Sequence, residues 1–438
     1  MEKGDDEATL AKELREDEKR VVRKLDLCVL PVVMVLYIVA FLDRVNIANV
    51  AISDFKRDLG LEDEEFNVIL SVFYVSYIVL ELPMTMAVRR YGPRLVLPTM
   101  AVLWSIVTLF TGFVTGYASM LAMRLLLGAT EAGIFPGLNY YISTLYKRGE
   151  ISKRICMLFV SIALSGAFGG LLAYAVFKMD GVGGKTGWRW LFIIEGLMSL
   201  VAGLLSYALL PNAAHTAYFL TEDEKCIAKD RLETNIVEED AAGKGTKEAL
   251  ASPLTWISGL VQLGANTFLF GFSLFLPTIV NGMGYKNTQV QYLIIPIYLL
   301  GATTYFLAAS LADRFPKKTL YMILLASVLI LIGYIILLTD HRPPVKYMAT
   351  FLLSAGGYIV PGLNITWLCS IDSPRYKRAV AIGLNQTLGN IGGVIAGQIY
   401  RDQDSPDYII GHAVSLASLL FAASLISLII LLRKSNLI

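Results

Sequence analysis

Residues 319–338 read TLYMILLASVLILIGYIILL, an uninterrupted run without a single charged side chain. About 20 apolar residues in a helix are enough to cross the hydrocarbon core of a membrane, which is roughly 30 Å thick. Similar runs recur along the whole chain, where 55% of residues are hydrophobic and 17% are charged; a soluble domain has about 25% charged residues. The sequence therefore predicts an all-α integral membrane protein.

Twelve such runs are predicted as transmembrane helices and are numbered in chain order. Helices are the expected structure because lipid offers the backbone no hydrogen-bond partners, and the runs lack the polar and apolar alternation of a barrel strand. The predicted spans are 25–50, 66–88, 94–114, 118–142, 153–177, 188–210, 254–281, 289–311, 318–338, 346–369, 378–400 and 408–432.

A polar stretch from Pro211 to Pro253 divides these helices into two sets of six. The middle of this stretch reads TEDEKCIAKDRLETNIVEEDAAGKGTKE. This sequence predicts a short amphipathic helix followed by a flexible linker. The expected parts are a tail at 1–24, an N-terminal half at 25–210, a linker at 211–253, a C-terminal half at 254–432 and a tail at 433–438.

The charges of the short loops predict the orientation of the chain. Lys and Arg accumulate on the cytoplasmic side of membrane proteins. If both termini are cytosolic, the cytoplasmic loops after helices 2, 4, 8 and 10 are basic, and the opposite loops after helices 1 and 11 are mostly acidic. The polar first 24 residues lack an apolar segment behind a basic start, so we expect no cleavable signal peptide. We expect a multi-pass plasma-membrane protein with both termini in the cytosol.

Other functional classes find no support in the sequence. The net charge of +2 averages two opposed faces and gives no reason to expect nucleic-acid binding. The chain has no HExxH, GxSxG or P-loop motif and no histidine-rich cluster, so we expect no enzyme activity, metal or organic cofactor. Its four cysteines have no metal-ligand or disulfide spacing. We expect a monomer.

Two loops are alike and suggest related halves. The loop after helix 2 reads AVRRYGPR and the loop after helix 8 reads SLADRFPKK. These strings resemble the cytoplasmic loop signature of the major facilitator superfamily, in which an acidic residue, an Arg and a Gly hold two halves together. Arg89 stands at the usual acidic position of the first copy, and Pro316 at the usual Gly of the second. The latch residues that the resemblance implies are Arg90, Gly92, Arg94, Asp313 and Arg314.

Longer strings carry a sharper resemblance. They include FLDRVNIANV (41–50), ELPMTMAVRRYGPR (81–94), MRLLLGATEAGIFPGLNYYISTLYKR (123–148), LFGFSLFLPTIVNGMGY (269–285) and GLNQTLGNIGGVIAGQIY (383–400). Together they resemble the anion:cation symporter family of the superfamily, and within it the fungal allantoate permease branch. The resemblance implies the major facilitator fold of two six-helix halves, and proton-driven transport of small carboxylates and vitamins such as allantoate, nicotinate, pantothenate or biotin.

Charged residues inside the predicted spans are the first candidates for a site, because charges in membrane helices are costly and usually face a bundle interior or an aqueous cavity. They are concentrated in the first half: Asp43, Arg44, Arg124, Glu131 and Glu195, with Glu81 nearer the inner end of helix 2. Depth along helices 1 and 4 predicts that Asp43 pairs with Arg124, an arrangement that fits either proton coupling or static packing.

Glu131 is the predicted proton-coupling carboxyl. It shares one face of helix 4 with Arg124 and Gly128, at spacings of seven and three residues. A carboxyl at mid-membrane avoids an unpaired charge either by pairing with an Arg or by binding a proton. A substrate anion that takes over Arg44 therefore leaves Glu131 to pick up a proton. Asp43, Arg124 and Glu195 are expected to take part in the same coupling.

Arg44 is the predicted substrate cation, because a guanidinium can hold a carboxylate with two parallel hydrogen bonds. The family resemblance also implies an Arg at this place, beside a string like VNIANV, and a Glu at the place of Glu131. Structural pairing with a nearby acid is the alternative. Vesicular relatives have a second Arg in helix 7, where this chain has Ala265 and Asn266. This difference favours a substrate with one carboxylate.

The rest of the predicted binding site consists of amide and aromatic side chains, each of which also fits an ordinary packing role. The candidates are Asn46, Tyr74, Tyr77, Tyr140, Asn266, Phe270, Tyr298, Asn364 and Asn385. Gly-rich segments of helices 5 and 11 are expected to allow close helix packing. Pro136, Pro277 and Pro296 are expected to bend helices 4, 7 and 8.

The sequence thus predicts a secondary transporter that takes up a small organic anion together with protons by alternating access. Two alternatives remain open. An exporter of drugs or organic cations would favour acids in the cavity without an Arg. A nutrient receptor that does not transport would have a nearly identical sequence.

Overall fold

The computed structural model describes residues 16–233, 242–370 and 375–435. Within these ranges, eleven helices are long and apolar enough to cross a membrane. A twelfth, Arg375–Ile399, has 25 residues and is less hydropathic because Arg, Lys, Asn and Gln side chains interrupt its apolar residues. The predicted fold class, all-α with twelve membrane helices, is confirmed.

Nine of the twelve helices are continuous, helix 1 has a turn residue at Val29, and two helices consist of two segments. Helices 1 to 6 are Glu16–Val50, Asp63–Tyr91, Pro93–Thr111, Tyr117–Glu131 with Ile134–Leu145, Arg148–Val176 and Gly187–Leu209. Helices 7 to 12 are Pro253–Gly282, Asn287–Arg314, Thr319–Thr339, Pro343–Gly357 with Ile359–Ser370, Arg375–Ile399 and Ile409–Lys434.

Helix ends lie within three residues of the predicted spans, except at two starts. Helix 1 is already helical at Glu16, the first described residue, inside the predicted tail, and helix 5 begins at Arg148. Residues 1–15 and 436–438, most of the predicted tails, lie outside the described residues. The linker contains two helices, Glu222–Glu233 and Ala242–Ala251. The second lies where a flexible segment was predicted.

The halves meet where helix 2 packs on helix 11 and helix 5 packs on helix 8. Glycines make both contacts close. A Cβ on Gly166 of helix 5 would lie 2.7 Å from the Tyr298 ring, and one on Gly393 of helix 11 would lie 2.4 Å from the Tyr74 ring. These distances are shorter than van der Waals contact, so the aromatic rings occupy space that any other residue would fill.

The end of the bundle opposite the linker, called the far end, is tied together across the halves. Lys56 forms an ion pair with Asp402. The Asn67 amide donates to the Tyr400 carbonyl at 3.1 Å, and Gln398 donates to the Asn67 carbonyl at 2.9 Å. These bonds join helix 2 and the segment before it to the end of helix 11, so the far end is closed.

Among the described residues, the ion pairs at the end that carries the linker, called the linker end, lie within the N-terminal half and the linker. Arg154 forms two bonds to Asp26 at 2.8 and 2.5 Å. Arg231 of the first linker helix donates to both oxygens of Glu150, at 2.6 and 2.8 Å. The linker helix is therefore fastened to helix 5.

The fourth helix of each half is interrupted. In helix 4 the interruption is Ala132–Gly133, where Gly133 has φ +80, a left-handed conformation that glycine adopts at little cost. The predicted bend thus lies just before Pro136. In helix 10 the segments meet at Tyr358. Helices 7 and 8 continue through Pro277 and Pro296 without a break in their assigned helix.

Candidate functional site

An ion pair in the N-terminal half forms the centre of the site. Arg44 Nη2 lies 2.5 Å from Glu131 Oε1, and the side chains are 6% and 0% exposed. Arg44 comes from helix 1, and Glu131 is the last residue of the first segment of helix 4. The second carboxylate oxygen, Oε2, has no hydrogen-bond partner. The charge of Glu131 is therefore balanced mainly by one guanidinium.

Three aromatic rings surround the Arg44 guanidinium. Its central carbon lies 5.2 Å from the ring centre of Phe41, 5.0 Å from that of Phe73 and 4.9 Å from that of Tyr77. The electron-rich faces of aromatic rings attract cations, and more so when water is excluded. The rings therefore hold the guanidinium in place independently of the carboxylate that it binds.

The predicted ion pair between Asp43 and Arg124 is wrong for this structure. Asp43 Oδ2 accepts a hydrogen bond from Ser199 of helix 6 at 2.8 Å, and Oδ1 has no partner. Successive helical residues point about 100° apart. Asp43 therefore faces helix 6 while its neighbour Arg44 reaches Glu131.

Arg124 and Glu195 are buried near the ion pair of Arg44 and Glu131, and neither forms a direct ion pair or hydrogen bond among the described residues. Nε and Nη2 of Arg124 lack hydrogen bonds, as do both carboxylate oxygens of Glu195. Arg124 lies within electrostatic range of Glu131, Asp43 and Glu195. The five charged residues predicted from sequence therefore form one buried cluster with two cations and three carboxyl groups.

A small cavity lies between the halves next to Arg44. Its volume is about 30 Å³, room for about two water molecules. Four of the predicted substrate-binding residues line it: Arg44, Tyr77, Asn266 and Phe270. The other lining residues are Tyr37, Phe41, Phe135, Phe159, Ile162, Gln262, Leu269, Gln386 and Asn390. One wall is thus cationic and aromatic, and the other carries amides.

The other predicted binding residues lie outside this lining. Tyr74 stacks on Phe270 with ring centres 5.1 Å apart, and both amide atoms of Asn46 are buried without hydrogen-bond partners. Tyr298 donates to the Ser273 carbonyl at 3.2 Å, a bond between helices 8 and 7. These side chains support the packing around the cavity.

Tyr140 lies elsewhere, against Arg89, whose guanidinium carbon is 5.3 Å from the Tyr140 ring centre. Tyr140 is in the second segment of helix 4, and Arg89 is in the last turn of helix 2. This contact joins two helices of the N-terminal half near the linker end.

Behind the amide wall, the C-terminal half contains a hydrogen-bond network around helix 7. Asn364 of helix 10 donates to Gln262 Oε1 at 2.8 Å and to the Ser258 carbonyl at 3.1 Å. Asn385 of helix 11 donates to the Ser258 carbonyl and hydroxyl, each at 2.9 Å. The network fixes Gln262, which points into the cavity beside Asn266.

Sequence reasoning missed Ser258 and Gln262. A usable signal was present, because Ser258, Gln262, Asn266 and Phe270 follow one another at four-residue spacing and therefore share one face of helix 7. Gln386 and Asn390 of helix 11 show the same spacing. The aromatic lining residues carry no comparable signal, since aromatic residues are common throughout the membrane helices.

The three arginines of the predicted latch contact residues of their own halves, whereas Asp313 of helix 8 lies within electrostatic range of Lys153 of helix 5, in the other half. Arg94 Nε donates to the Tyr207 carbonyl of helix 6 at 3.4 Å. Arg90 lies over the Tyr91 ring and Arg314 over the Phe315 ring, each at 5.7 Å. Among the described residues, no ion pair connects Arg90, Arg94, Asp313 or Arg314 to the other half. Gly92 has φ +88 and forms the turn between helices 2 and 3. The gating role of this set stays a prediction.

No group of three or more His, Cys, Asp or Glu side chains in the described ranges is arranged to hold a metal ion. The chemical groups at the site are thus an ion pair, further buried charges, amides and aromatic rings. Such groups bind and release an anion or a proton.

The sequence and the fold have known relatives. Residues 33–397 match the Major Facilitator Superfamily. An uncharacterized transporter of Schizosaccharomyces pombe is 44% identical over 92% of this chain and 81% of its own. The high-affinity nicotinic acid transporter of Saccharomyces cerevisiae is 31% identical over 92% of this chain and 76% of its own.

Solved structures show the same fold. A bacterial homologue of the human lysosomal transporter Spinster, inward-facing and unoccupied, superposes with a TM-score of 0.70 at 17% identity, over 94% of this chain and 96% of the other. The Escherichia coli xylose transporter XylE, partially occluded and inward-open, gives 0.68 at 16% identity, over 91% and 97%. The chain therefore belongs to the Major Facilitator Superfamily and is a membrane transporter, not an enzyme.

Proposed function

We propose that this transporter carries a small organic anion with one carboxylate into the cell together with protons. Arg44 binds the carboxylate, and Glu131 binds the proton. The observation that carries this proposal is the buried ion pair between these residues, 2.5 Å apart, with Arg44 in the wall of the cavity between the halves.

The pair provides a physical reason for coupling. A substrate carboxylate that binds Arg44 competes with Glu131 for the same guanidinium. Glu131 is then a carboxylate without its partner in a water-poor site, where an unpaired charge costs several kcal/mol. Binding a proton removes that cost. Asp43, Arg124 and Glu195 belong to the same cluster, in which two cations balance two of the three carboxyl groups, so neutrality of the empty site already requires one bound proton. A substrate carboxylate adds a further negative charge, and the proton that Glu131 binds offsets it.

The rest of the cavity lining supports a small cargo with a polar or aromatic body. The amides of Gln262 and Asn266 supply neutral hydrogen-bond donors and acceptors opposite Arg44, and the rings of Tyr77 and Phe270 provide flat apolar surface. No second cation lines the cavity. Nicotinate, biotin, pantothenate and allantoate are therefore the substrates to test, and the similarity to a nicotinic acid transporter gives nicotinate first place.

Transport requires the halves to move, because a cavity with room for two water molecules does not admit a vitamin. The far end is closed by the contacts of Lys56 and Asn67 with the C-terminal half. In the proposed cycle, the linker end opens while the far end is closed, and the reverse follows. The proposed setting is the plasma membrane, with both termini cytosolic, a monomeric protein and the proton as its coupling ion.

Uptake into proteoliposomes tests the coupling. Labelled nicotinate is offered with the outside at a lower pH than the inside, and accumulation is expected to exceed the level reached without a gradient. Collapse of the gradient by a protonophore is the control. Accumulation that ignores the gradient for all four acids contradicts proton symport.

A second experiment tests recognition of the carboxylate. Binding of each acid is compared with binding of its neutral amide, for example nicotinamide. Loss of a charge-assisted hydrogen-bond pair is expected to weaken binding at least tenfold. Equal affinity for an acid and its amide would exclude Arg44 as the anion site. Preferential binding of organic cations would support the alternative of a cation or drug exporter, and binding without uptake would support a nutrient receptor.

A further inference from the structure

A further carboxylate, within electrostatic range of Arg44, connects the two halves. Glu81 of helix 2 is 5% exposed. Its Oε2 accepts hydrogen bonds from Asn390 at 3.3 Å and Thr387 at 3.4 Å, both on helix 11. Glu81 lies one helical turn beyond Tyr77 towards the linker end. It therefore ties the halves together between the cavity and the linker end, where the ion pairs of the described residues do not join the halves.

Asn390 connects Glu81 to the cavity. It lines the cavity next to Gln386, and its amide donates to Glu81. A change in the position of Glu81 thus alters a side chain that faces the cargo.

The same turn of helix 2 also supports the interruption in helix 4. A Cβ on Gly133 would lie 3.2 Å from the carbonyl oxygen of Glu81 and 2.8 Å from Cβ of Met84. The interruption therefore rests directly on the backbone of Glu81, and it begins immediately after Glu131. A displacement of Glu131 moves the surface on which this turn of helix 2 packs.

This turn is itself weakly held. Pro83 lies inside helix 2 and has no N–H to donate to the preceding turn. The Thr85 hydroxyl donates to the Glu81 carbonyl at 2.7 Å, a side-chain bond of the kind that often bends helices. Movement at Gly133 can therefore be taken up by a local change at Glu81 without unfolding the helix.

We propose that Glu81 is a positioning residue of the transport cycle. It ties helix 2 to helix 11, and displacement of Glu131 from Arg44 releases this tie through the helix 4 interruption. The release rests on the proposed function, whereas the tie itself does not.

Distance measurement between the halves tests the tie. Spin labels are placed at Met86, an exposed residue of helix 2, and at Gly383 of helix 11, where an added side chain meets no atom within 4 Å. The four native cysteines are replaced first. Without substrate, Glu81→Ala is expected to increase about fivefold the population in which the two labels are far apart. This is the effect expected for the net loss of one hydrogen bond. Glu81→Gln is expected to resemble the wild type, because its amide oxygen accepts the same bonds. An unchanged distribution in Glu81→Ala overturns the proposal.

The connection to Glu131 is tested with the same labels. Glu131→Gln, which removes the charge that holds Arg44, is expected to widen the separation, and adding Glu81→Ala is expected to produce no further change. Gly133→Ala is expected to act in the same direction. Gly284→Ala is its control, because Gly284 also has positive φ (+91) but open space around its Cβ position.

The outcomes separate this proposal from the proposed function. If Glu131→Gln leaves the distance unchanged while Glu81→Ala widens it, the release through helix 4 is wrong and only the tie stands. If none of the four acids is accumulated against a gradient but Glu131→Gln and Glu81→Ala both widen the separation, the proposed function fails. The tie between helices 2 and 11 and its release through helix 4 then stand.

Discussion

Helices 4 and 10 are the fourth helices of their halves, and both are interrupted near their middle. The interruption of helix 4 follows Glu131, whose charge is buried against Arg44. The interruption of helix 10 lies at Tyr358, among buried residues without charge. The buried charge of helix 10 lies instead at its beginning, where Lys346 pairs with Asp407 at 2.5 Å.

The difference between helices 4 and 10 indicates that the same interrupted helix has a different role in each half. An irregular segment next to a buried charge can respond when that charge gains or loses a partner. An irregular segment among neutral residues changes only the direction of the helix. We therefore expect changes at helix 4 to affect coupling, and changes near helix 10 to affect affinity or stability.

The largest effect is expected from Arg44→Ala. This change breaks the buried ion pair between Arg44 and Glu131, the feature that distinguishes helix 4 from helix 10. Glu131 is left without its partner, so the free energy of unfolding is expected to fall by about 3–5 kcal/mol. The thermal unfolding midpoint and nicotinate binding are the measurements. Arg342→Ala is the control, because it breaks an exposed ion pair with Asp340 that solvent screens. A midpoint equal to that of the control contradicts the assignment.

Glu131→Gln is the next test, because it keeps the shape of the side chain and removes the titrating group. Gradient-driven accumulation is expected to fall at least about tenfold, in the range for loss of a positioned proton acceptor, while exchange of labelled for unlabelled substrate continues. Glu222→Gln on the exposed linker helix is the control. Unchanged accumulation in Glu131→Gln removes this residue from the mechanism.

Glycine substitutions compare the two interruptions directly. Gly133→Ala is expected to cost about 1–3 kcal/mol, because Gly133 has φ +80 and a Cβ there would crowd Met84. Gly357→Ala, beside Tyr358, is expected to change stability by less than about 0.5 kcal/mol, since its Cβ would meet the nearest atoms at 3.8 Å. Thermal unfolding measures both. Equal costs would mean that the two interruptions are equally constrained.

A smaller effect is expected from Asn364→Ala in the second segment of helix 10. It removes the hydrogen bonds to Gln262 and Ser258. The loss of about 1 kcal/mol is expected to weaken substrate binding about fivefold, while the proton dependence of uptake stays as in the wild type. A loss of proton coupling in this variant would mean that coupling is not confined to the first half.

The smallest effect concerns the charge at the beginning of helix 10. The hydrogen bond from Lys346 lowers the pKa of Asp407 below its usual range. Its stabilisation is therefore present above the unfolded pKa, about 3.9, and is lost as the pH falls through the lower native value. Because the Asp407 side chain is 37% exposed, Asp407→Asn is expected to cost only about 0.5 kcal/mol at pH 7. Thermal unfolding at pH 7 and below pH 4 should show this cost disappearing.

The helices and the buried charges could be predicted from sequence because both follow from the cost of placing polar groups in lipid. The partners of those charges were harder. Asp43 and Arg44 are adjacent, and only the rotation of helix 1 about its axis sends the first to Ser199 and the second to Glu131. That rotation depends on packing between helices, which no local pattern specifies.

The polar residues of helices 7 and 11 illustrate a second limit. The spacing of Gln262 and Asn390 indicates the helix face on which each lies, but it does not identify their partners, which are distant in the chain. Glu81 and Asn390 are 309 positions apart. Their contact exists only because the halves assemble, so no local pattern in the sequence indicates it.

Helix 1 connects the site to the linker mechanically. Its 35 residues span about 50 Å, with one turn residue at Val29 before the segment that carries Arg44. Near one end, Lys24 bonds to Glu224 of the linker helix and Asp26 to Arg154, and near the other end Arg44 holds Glu131. The helix therefore works as a lever: a tilt of a few degrees about its anchored end displaces the guanidinium by an ångström or more, enough to change a hydrogen bond.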